Sequence, residues 1–379
     1  MEKFHVWMIG CQYNEHDAIR VSYMLKKLGF SESSAEEADF IIILACSVRQ
    51  TAIDRIFGKL KHWPDKRVII TACVLPADRK RFAQRGVLFW DIQKPKELAK
   101  ILGIEDLREI KKFMNEGRNL SCYVPIMIGC NNFCSYCAVP LTRGRETSVP
   151  FDAVVKQVEN LVARGVKNIT LLGQNVNSYT IGQNSKIKSQ KSKSKLKSSK
   201  SDFTMLLEKL NALPGDFSIA FTSNHPKDMT NDIIEAVATL AKIKKEIHLP
   251  LQSGSNKILK LMNRPYTAEE YLRLVESIKL VGSPKAKGWR GQDERIKITT
   301  DVIVGFPGET EEDFQKTVEV FKKIKFSLAY INKYSPRSGT AAYKLGDPIS
   351  WAEKQRRWHE LNSLIANSVS QKSKVKSQK

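Results

Sequence analysis

Short runs of β-branched and aromatic residues alternate with longer amphipathic stretches along most of this chain, and that alternation narrows its fold more than any other feature. "FHVWMI" (4–9), "FIIILA" (40–45) and "VIITAC" (68–73) read as strands, with helices predicted between them over 16–28 and 51–62. Strands that alternate with helices pair in parallel, so residues 1–115 are expected to form a small Rossmann-like parallel α/β domain. A helical, mixed-charge connector follows at about 94–117. Six more strands are predicted at 123–129, 168–173, 217–223, 246–252, 296–306 and 328–336, with helices at 151–164, 202–212, 230–242, 267–281 and 310–324. Six βα units predict a partial (β/α)6 barrel of the TIM type over 116–348, and residues 349–379 read as a C-terminal helix with a basic tail.

The strand ends carry the chemistry. Each of the first three strands ends at or just before a cysteine: Cys11, Cys46 and Cys73. Parallel strands share one C-terminal edge, so three thiols far apart in sequence are expected to converge there. In the second series Cys130, Gln174, Asn175, His225, Gln252, Ser253 and Glu309 all follow strands. The best bland reading of His225 is a core or loop histidine.

The longest apolar run, "FIIILACSV" (40–48), is far short of a membrane span, and "MEKFHVWMIG" lacks the layout of a signal peptide. A cytoplasmic location is therefore expected, with no membrane partner. In that reducing setting the seven cysteines read as metal ligands or catalytic groups rather than disulfides. The net charge is +22, but residues 185–200 carry seven lysines and 369–379 carry four, neither with an acid. Without these eleven charges the chain is still at +11, which suits a polyanion such as RNA. The Lys/Ser stretch 185–200 is expected to be a disordered insertion, and 282–295 a polar loop.

Within "GCNNFCSYCAVP" (129–140), Cys130, Cys134 and Cys137 are spaced C-x3-C-x2-C. A structural zinc site wants four closed ligands, which here would require a remote histidine. A four-iron, four-sulfide cubane takes one protein ligand per iron, so three thiolates leave one iron open to a substrate.

That spacing at a strand C-terminus, with Tyr136 just before the third cysteine, resembles the radical S-adenosylmethionine (SAM) superfamily. A closer resemblance, to the methylthiotransferase family, rests on "GCQYNEHDA" (10–18), "ACSVRQTA" (45–52), "TACVLP" (71–76) and "PIMIGCNNFCSYCAVPLTRGRE" (125–146). It continues through "LLGQNVNSY" (171–179), "TSNHPKD" (222–228), "HLPLQSGSNKILKLMNRPYT" (248–267), "TTDVIVGFPGETEEDF" (299–314) and "YSPRSGTAA" (334–342). The family resemblance implies two [4Fe–4S] clusters: an auxiliary one on Cys11, Cys46 and Cys73, and a SAM-cleaving one on Cys130, Cys134 and Cys137. It implies SAM held near Tyr136, Gln174, Asn175, Gln252, Ser253 and Glu309, and attack on an aromatic C–H bond by a SAM-derived radical.

"GCQ-x-N", "GQNVNSY" and "TS-x-HP" resemble the branch that modifies isopentenylated adenosine next to the anticodon of transfer RNA. Modification of another tRNA base, of a ribosomal-protein aspartate, or an inactive iron–sulfur RNA binder are the alternatives. The expected partners are a tRNA anticodon loop and an electron donor such as flavodoxin or ferredoxin, with the chain itself a monomer. Arg143 and Arg145 are candidate contacts to RNA phosphate or the SAM carboxylate. Family members continue after helices like 351–371 into a small RNA-binding TRAM β-barrel. No run of alternating strand residues follows here, so weak, strongly salt-dependent tRNA binding is expected.

Overall fold

The computed structural model describes residues 2–182, 200–281 and 295–376, with side chains to 365. The lysine-rich insertion expected at 185–200 lies outside the described residues except for Lys200, and the loop expected at 282–295 does so except for Arg295.

The N-terminal sheet contains β1 (Lys3–Met8), β2 (Ser31–Glu32), β3 (Phe40–Cys46), β4 (Arg67–Cys73) and β5 (Leu88–Phe89), all parallel, in the order β2-β1-β3-β4-β5. The central strand β3 is buried on both faces from Phe40 to Ala45, which is why it reads as a continuous apolar run rather than an alternating one. Phe4, Phe40, Ile42 and Leu44 pack on one side of the sheet, and Ile41, Ile43, Ile56 and Phe82 on the other. The two-residue edge strands β2 and β5 have too little pattern to be legible in sequence. The connector at 94–117 is two helices, Pro95–Leu102 and Leu107–Glu116, divided at Gly103.

The barrel strands are β6 (Tyr123–Pro125), β9 (Asn168–Leu172), β10 (Ser218–Phe221), β11 (Glu246–His248), β12 (Lys297–Val304) and β13 (Leu328–Lys333). They form two parallel sheets, β6-β9-β10 and β11-β12-β13, joined by the parallel bridge Ile219–Ile243. All six therefore run in chain order, the arc expected of a partial (β/α)6 barrel. Its core holds Phe151, Leu206, Ile219, Ile247, Val302 and Phe314.

Residues 123–129 were expected to be one strand but are divided. After β6, β7 (Met127–Ile128) pairs antiparallel with β8 (Thr147–Ser148). This ribbon closes the base of the loop that carries the three clustered cysteines. Gly129, at φ +79°, lies at the closure, where a Cβ atom would sit 2.1 Å from the Arg145 carbonyl oxygen. The last helix runs from Trp351 to Lys376, so the backbone of the basic tail is helical through Lys376.

Candidate functional site

Cys46 and Cys73 are register partners at the ends of β3 and β4, and Cys11 is the N-cap of helix Gln12–Lys27, which follows β1. The parallel sheet thus gathers the three thiols as strand order alone predicts. Gly10 makes the close approach possible: a Cβ there would lie 2.5 Å from Asn14 Nδ2 and 3.2 Å from Cys46 Cβ. Burial, with Cys73 and Cys11 adding to it, pushes the Cys46 thiol up to about 11. Burial also raises Cys73, opposed by the charge of Arg143.

The second trio lies on the loop closed by β7 and β8. Cys130 N donates to Gly144 O (3.2 Å) and Cys137 N to Cys134 O (2.9 Å). Burial raises the Cys137 thiol to about 12, with Cys134 adding to the effect, and burial raises Cys130 as well. Burial disfavours ionisation of Cys130 and Cys137, and Cys134 adds to it at both, which suits a site that a cation completes, since metal binding drives the protons off.

Among the described residues, no group of three His, Cys, Asp or Glu side chains could hold a metal ion as a single closed site. The zinc reading needs such convergence. A cubane does not, because each thiolate binds a different iron and the trio need only ring the cluster. On donor chemistry, both trios fit [4Fe–4S] clusters.

Two arginines absent from the expected roles reach this machinery, together with one that was expected elsewhere. Arg143 caps the short helix Val139–Thr142 just beyond the second trio, and its side chain is only 6% exposed. Its Nε donates to Cys73 Sγ (2.9 Å), its Nη2 to Asn14 Oδ1 (2.9 Å), and its guanidinium lies 4.0 Å from the Tyr13 ring. Asp17, 3.9 Å away, is buried and also takes Arg20 (2.9 Å). The proposed phosphate contact of Arg143 is therefore not what this arrangement offers, because the group is spent inside the protein. Arg145 is exposed, with its guanidinium 4.3 Å from the ring of Phe133.

Arg337, from the loop after β13, donates to Asp78 Oδ2 (2.6 Å) and to Gln50. Asp78 also accepts from Ser47 Oγ (3.2 Å), next to Cys46. Arg264 donates to Cys134 Sγ (3.4 Å), Pro250 O (3.2 Å) and Tyr266 Oη (2.9 Å). The three arginines were visible in the motifs, but their partners are 70 or more residues away in sequence, apart from those of Arg264 in its own motif. No local spacing announces such pairs.

The remaining candidates divide. Gln174 Oε1 accepts from Gly129 N (2.6 Å) and so braces the thiol loop. Asn175 donates to Asp228 (2.7 Å), while its Oδ1 is buried without a partner, as are Asn224 Oδ1 and Gln252 Oε1. Gln252 is held at φ +68°, a strained conformation for a side-chain-bearing residue. These orphaned acceptors are the kind of group a polar ligand satisfies. Of the three, Asn175 lines a cleft of about 280 Å³, together with Asn131, Asn132, Glu146, Ser178 and Lys227. On these grounds the rim fits SAM.

Tyr136 packs against the small cluster of Ile258, Met262, Phe306, Tyr334 and Ala342, and burial holds its phenol well above the ordinary range. Ser253 is fully buried and accepts from Ser255 N (3.2 Å). Glu309 is buried and occupied by Gly305 N (2.6 Å) and Arg357 (2.6 Å), which anchors the last helix rather than leaving a carboxylate for a ligand. His225 is buried, with Asn177 bonded to its backbone on both sides and its ring edge-on to Tyr266.

Residues 124–321 match the Radical SAM superfamily, and residues 3–89 match the uncharacterized protein family UPF0004. The chain is 37% identical over 385 residues to the tRNA-2-methylthio-N(6)-dimethylallyladenosine synthase of Syntrophomonas wolfei, which spans 95% of this chain and 81% of that protein. It is 39% identical over 389 residues to the protein of the same name from Caldicellulosiruptor saccharolyticus, covering 96% and 77%. Among solved structures, the cobalamin-dependent S-adenosylmethionine radical enzyme OxsB aligns at a TM-score of 0.53 and 11% identity, over 96% of this chain and 56% of that one. That last likeness is one of fold. No described helix is long and apolar enough to cross a membrane.

Proposed function

Because the chain belongs to the tRNA-2-methylthio-N(6)-dimethylallyladenosine synthase family, within the radical SAM superfamily, we propose that it converts N6-isopentenyladenosine next to the anticodon of tRNA to the 2-methylthio derivative. One observation carries the reading: two sets of three thiols, one on each domain, linked through Arg143. We assign Cys11, Cys46 and Cys73 to an auxiliary [4Fe–4S] cluster and Cys130, Cys134 and Cys137 to the SAM-binding one. When bound, the clusters and SAM supply the electron, radical, sulfur and methyl group that substitution at an aromatic C–H bond requires.

The chain's own residues hold and orient. The N-terminal domain (1–115) presents one trio, and the barrel (116–348) presents the other. The last segment (349–379) ties back to the barrel through Arg357 and Glu309. Arg143 and Arg264 each donate to a ligand sulfur, which stabilises negative charge there and tunes the site. Asn175 and Gln252 offer their free acceptors to SAM, and Tyr136, Gln174 and Ser253 shape the wall around it. The adenine must enter between the domains as an unstacked base, which suits a single-stranded loop. Arg145 with Phe133 is placed to meet that loop. The reading includes a cytoplasmic monomer that takes its electron from a flavodoxin or ferredoxin.

The test is mass spectrometry of tRNA nucleosides from a host lacking the modification, with and without this chain. Appearance of the 2-methylthio nucleoside supports the reading. An unchanged nucleoside profile with a newly methylthiolated ribosomal peptide would replace it.

A further inference from the structure

One solvent-facing groove has no part in the SAM or RNA assignments. It holds about 730 Å³ and is lined by Ser135, Lys257, Lys260, Leu261, Ala341, Ala342 and Leu345. Ser135 lies between Cys134 and Cys137. Its N donates to Met262 O (2.9 Å), its Oγ to Leu261 O (2.7 Å), and its carbonyl accepts from Ala342 N (2.8 Å). The groove is therefore bonded directly onto the back of the thiol loop. Beneath it, Ile258, Met262, Phe306, Tyr334 and Ala342 form a small core on which Tyr136 packs.

Its surface chemistry is unusual. Its lining residues Leu261 and Leu345 are 40 and 48% exposed, and Tyr343, two residues before Leu345, is 49% exposed, apolar surface that solvent does not explain. Lys257 and Lys260 line the groove, and the exposed Lys344 precedes its Leu345 in the turn Ala341–Leu345. Lys257 is bound to Asp313 (2.8 Å) and Gly308 O (2.8 Å), but Lys260 and Lys344 have no ion-pair partner among the described residues. The nearby Asp347 is taken by Lys354. An aliphatic floor with cations at its edge does not resemble a phosphate track. It resembles the contact face of a small, short-lived complex, where charge steers the encounter and a few apolar side chains hold it.

We propose that this groove is the docking face for an acidic, low-potential electron-transfer protein, whose single electron enters the Cys130, Cys134 and Cys137 site through the Ser135 segment. The proposal rests on the function proposed above, which requires a one-electron reductant. The donor gives up one electron and is oxidised, the site gains it, and no bond is made or broken in the transfer. Electron-transfer complexes bury little surface, under about 1,200 Å², so a patch of this modest size suffices. The side facing the cleft at Asn175 is left to SAM and the substrate.

The test uses the full chain, reconstituted anaerobically, and an acidic plant-type [2Fe–2S] ferredoxin as the probe. Binding of the oxidised ferredoxin is titrated at low salt for the parent, for the double variant Lys260→Glu/Lys344→Glu, and for Leu345→Ser. SAM cleavage is then driven either by reduced ferredoxin or by dithionite. We expect the double variant to bind ferredoxin at least 10-fold more weakly and to lose ferredoxin-driven cleavage to the same extent, with dithionite-driven cleavage at the parental rate. Leu345→Ser should weaken binding several-fold while leaving its salt dependence alone. Parental ferredoxin affinity in the double variant overturns the proposal, and so does an equal fall in both cleavage rates. A loss of tRNA affinity with ferredoxin binding intact would assign the face to RNA instead. If dithionite drives no cleavage even in the parent, the function proposed above fails, whereas the binding titrations still decide the docking face.

Discussion

Arg143 Nη2 donates to Asn14 Oδ1 at 2.9 Å, and this one contact gathers all three arms of the N-terminal thiol site. Asn14 Nδ2 donates to Ile9 O (3.0 Å) and Ala45 O (2.8 Å), the backbone leading into Cys11 and Cys46. The third arm is Cys73, bonded to Arg143 Nε. Asn14 is 1% exposed, so its replacement by alanine strands buried partners, at about 1–3 kcal/mol for each group left unsatisfied. We expect Asn14→Ala and Arg143→Ala to bind about four irons per chain after reconstitution, against about eight in the parent. Combining either with alanine at Cys130, Cys134 and Cys137 should leave almost none. Eight irons in Asn14→Ala would show that the arms hold without the bridge.

Asp78 and Arg337 join the domains as a buried ion pair, 7% and 3% exposed. Removing one partner of such a pair costs roughly 3–5 kcal/mol, because the survivor stays buried and uncompensated. Denaturant melts of Asp78→Ala, Arg337→Ala and the double variant should give a double-variant cost well below the sum of the singles. Strict additivity would mean that the pair is not coupled.

The loop holding Cys130, Cys134 and Cys137 contains two left-handed glycines that differ in what surrounds them. At Gly129 an added Cβ meets backbone at 2.1 Å, while at Gly144 (φ +78°) it meets nothing within 4 Å. Gly144→Ala should therefore cost only the conformational strain, about 1–2 kcal/mol. Gly129→Ala must also pry β7 from β8. It should lose the barrel's four irons, whereas Gly144→Ala keeps them. Equal iron content in the two would show that the ribbon does not set the loop.

These contacts mark where sequence reasoning stopped. The alternation of strands and helices, and the cysteines at strand ends, are local patterns that fix sheet and edge without knowledge of any contact. The roles of Arg143 and Glu309 were not legible, because each is decided by a distant partner: Cys73 for one and Arg357 for the other. A charged residue next to a motif looks the same in sequence whether it faces RNA or is buried. Burial, which separates those outcomes, is a property of the folded chain. The break at Pro125 was readable in principle, since proline lacks the N–H a continuing ladder needs. The partner of β7 is twenty residues on and has only two residues of pattern.

His16 is fully buried on helix Gln12–Lys27, and neither ring nitrogen has a hydrogen-bond partner. Burial, with Arg20 and Arg118 adding to it, lowers its pKa to about 3. Above the unfolded value of about 6.5 both states are neutral and the group has no effect. As pH falls below that value the unfolded chain takes a proton that the folded chain refuses, and stability drops until about pH 3. The loss approaches about 1.4 kcal/mol per pH unit across that window. His16→Gln should therefore narrow the difference in melting temperature between pH 7 and pH 5. Parallel pH curves for parent and variant would remove His16 as the cause.

Arg145 and Arg143 are two residues apart in sequence but stand in opposite surroundings, which gives a clean test of what RNA touches. Arg145 is exposed beside Phe133, itself 43% exposed, at the edge of the thiol loop. A guanidinium that neutralises one phosphate releases about one counterion, so its removal should lower the salt slope of tRNA binding by about one. Arg145→Ala should do this and weaken binding at low salt. Arg143→Ala should lower iron content while leaving the slope unchanged, because its guanidinium is committed to Cys73 and Asn14. Filter binding of a tRNA transcript over a salt series reads both. If the slope falls for Arg143→Ala and holds for Arg145→Ala, then RNA reaches between the domains to the buried arginine, and the exposed pair is only surface.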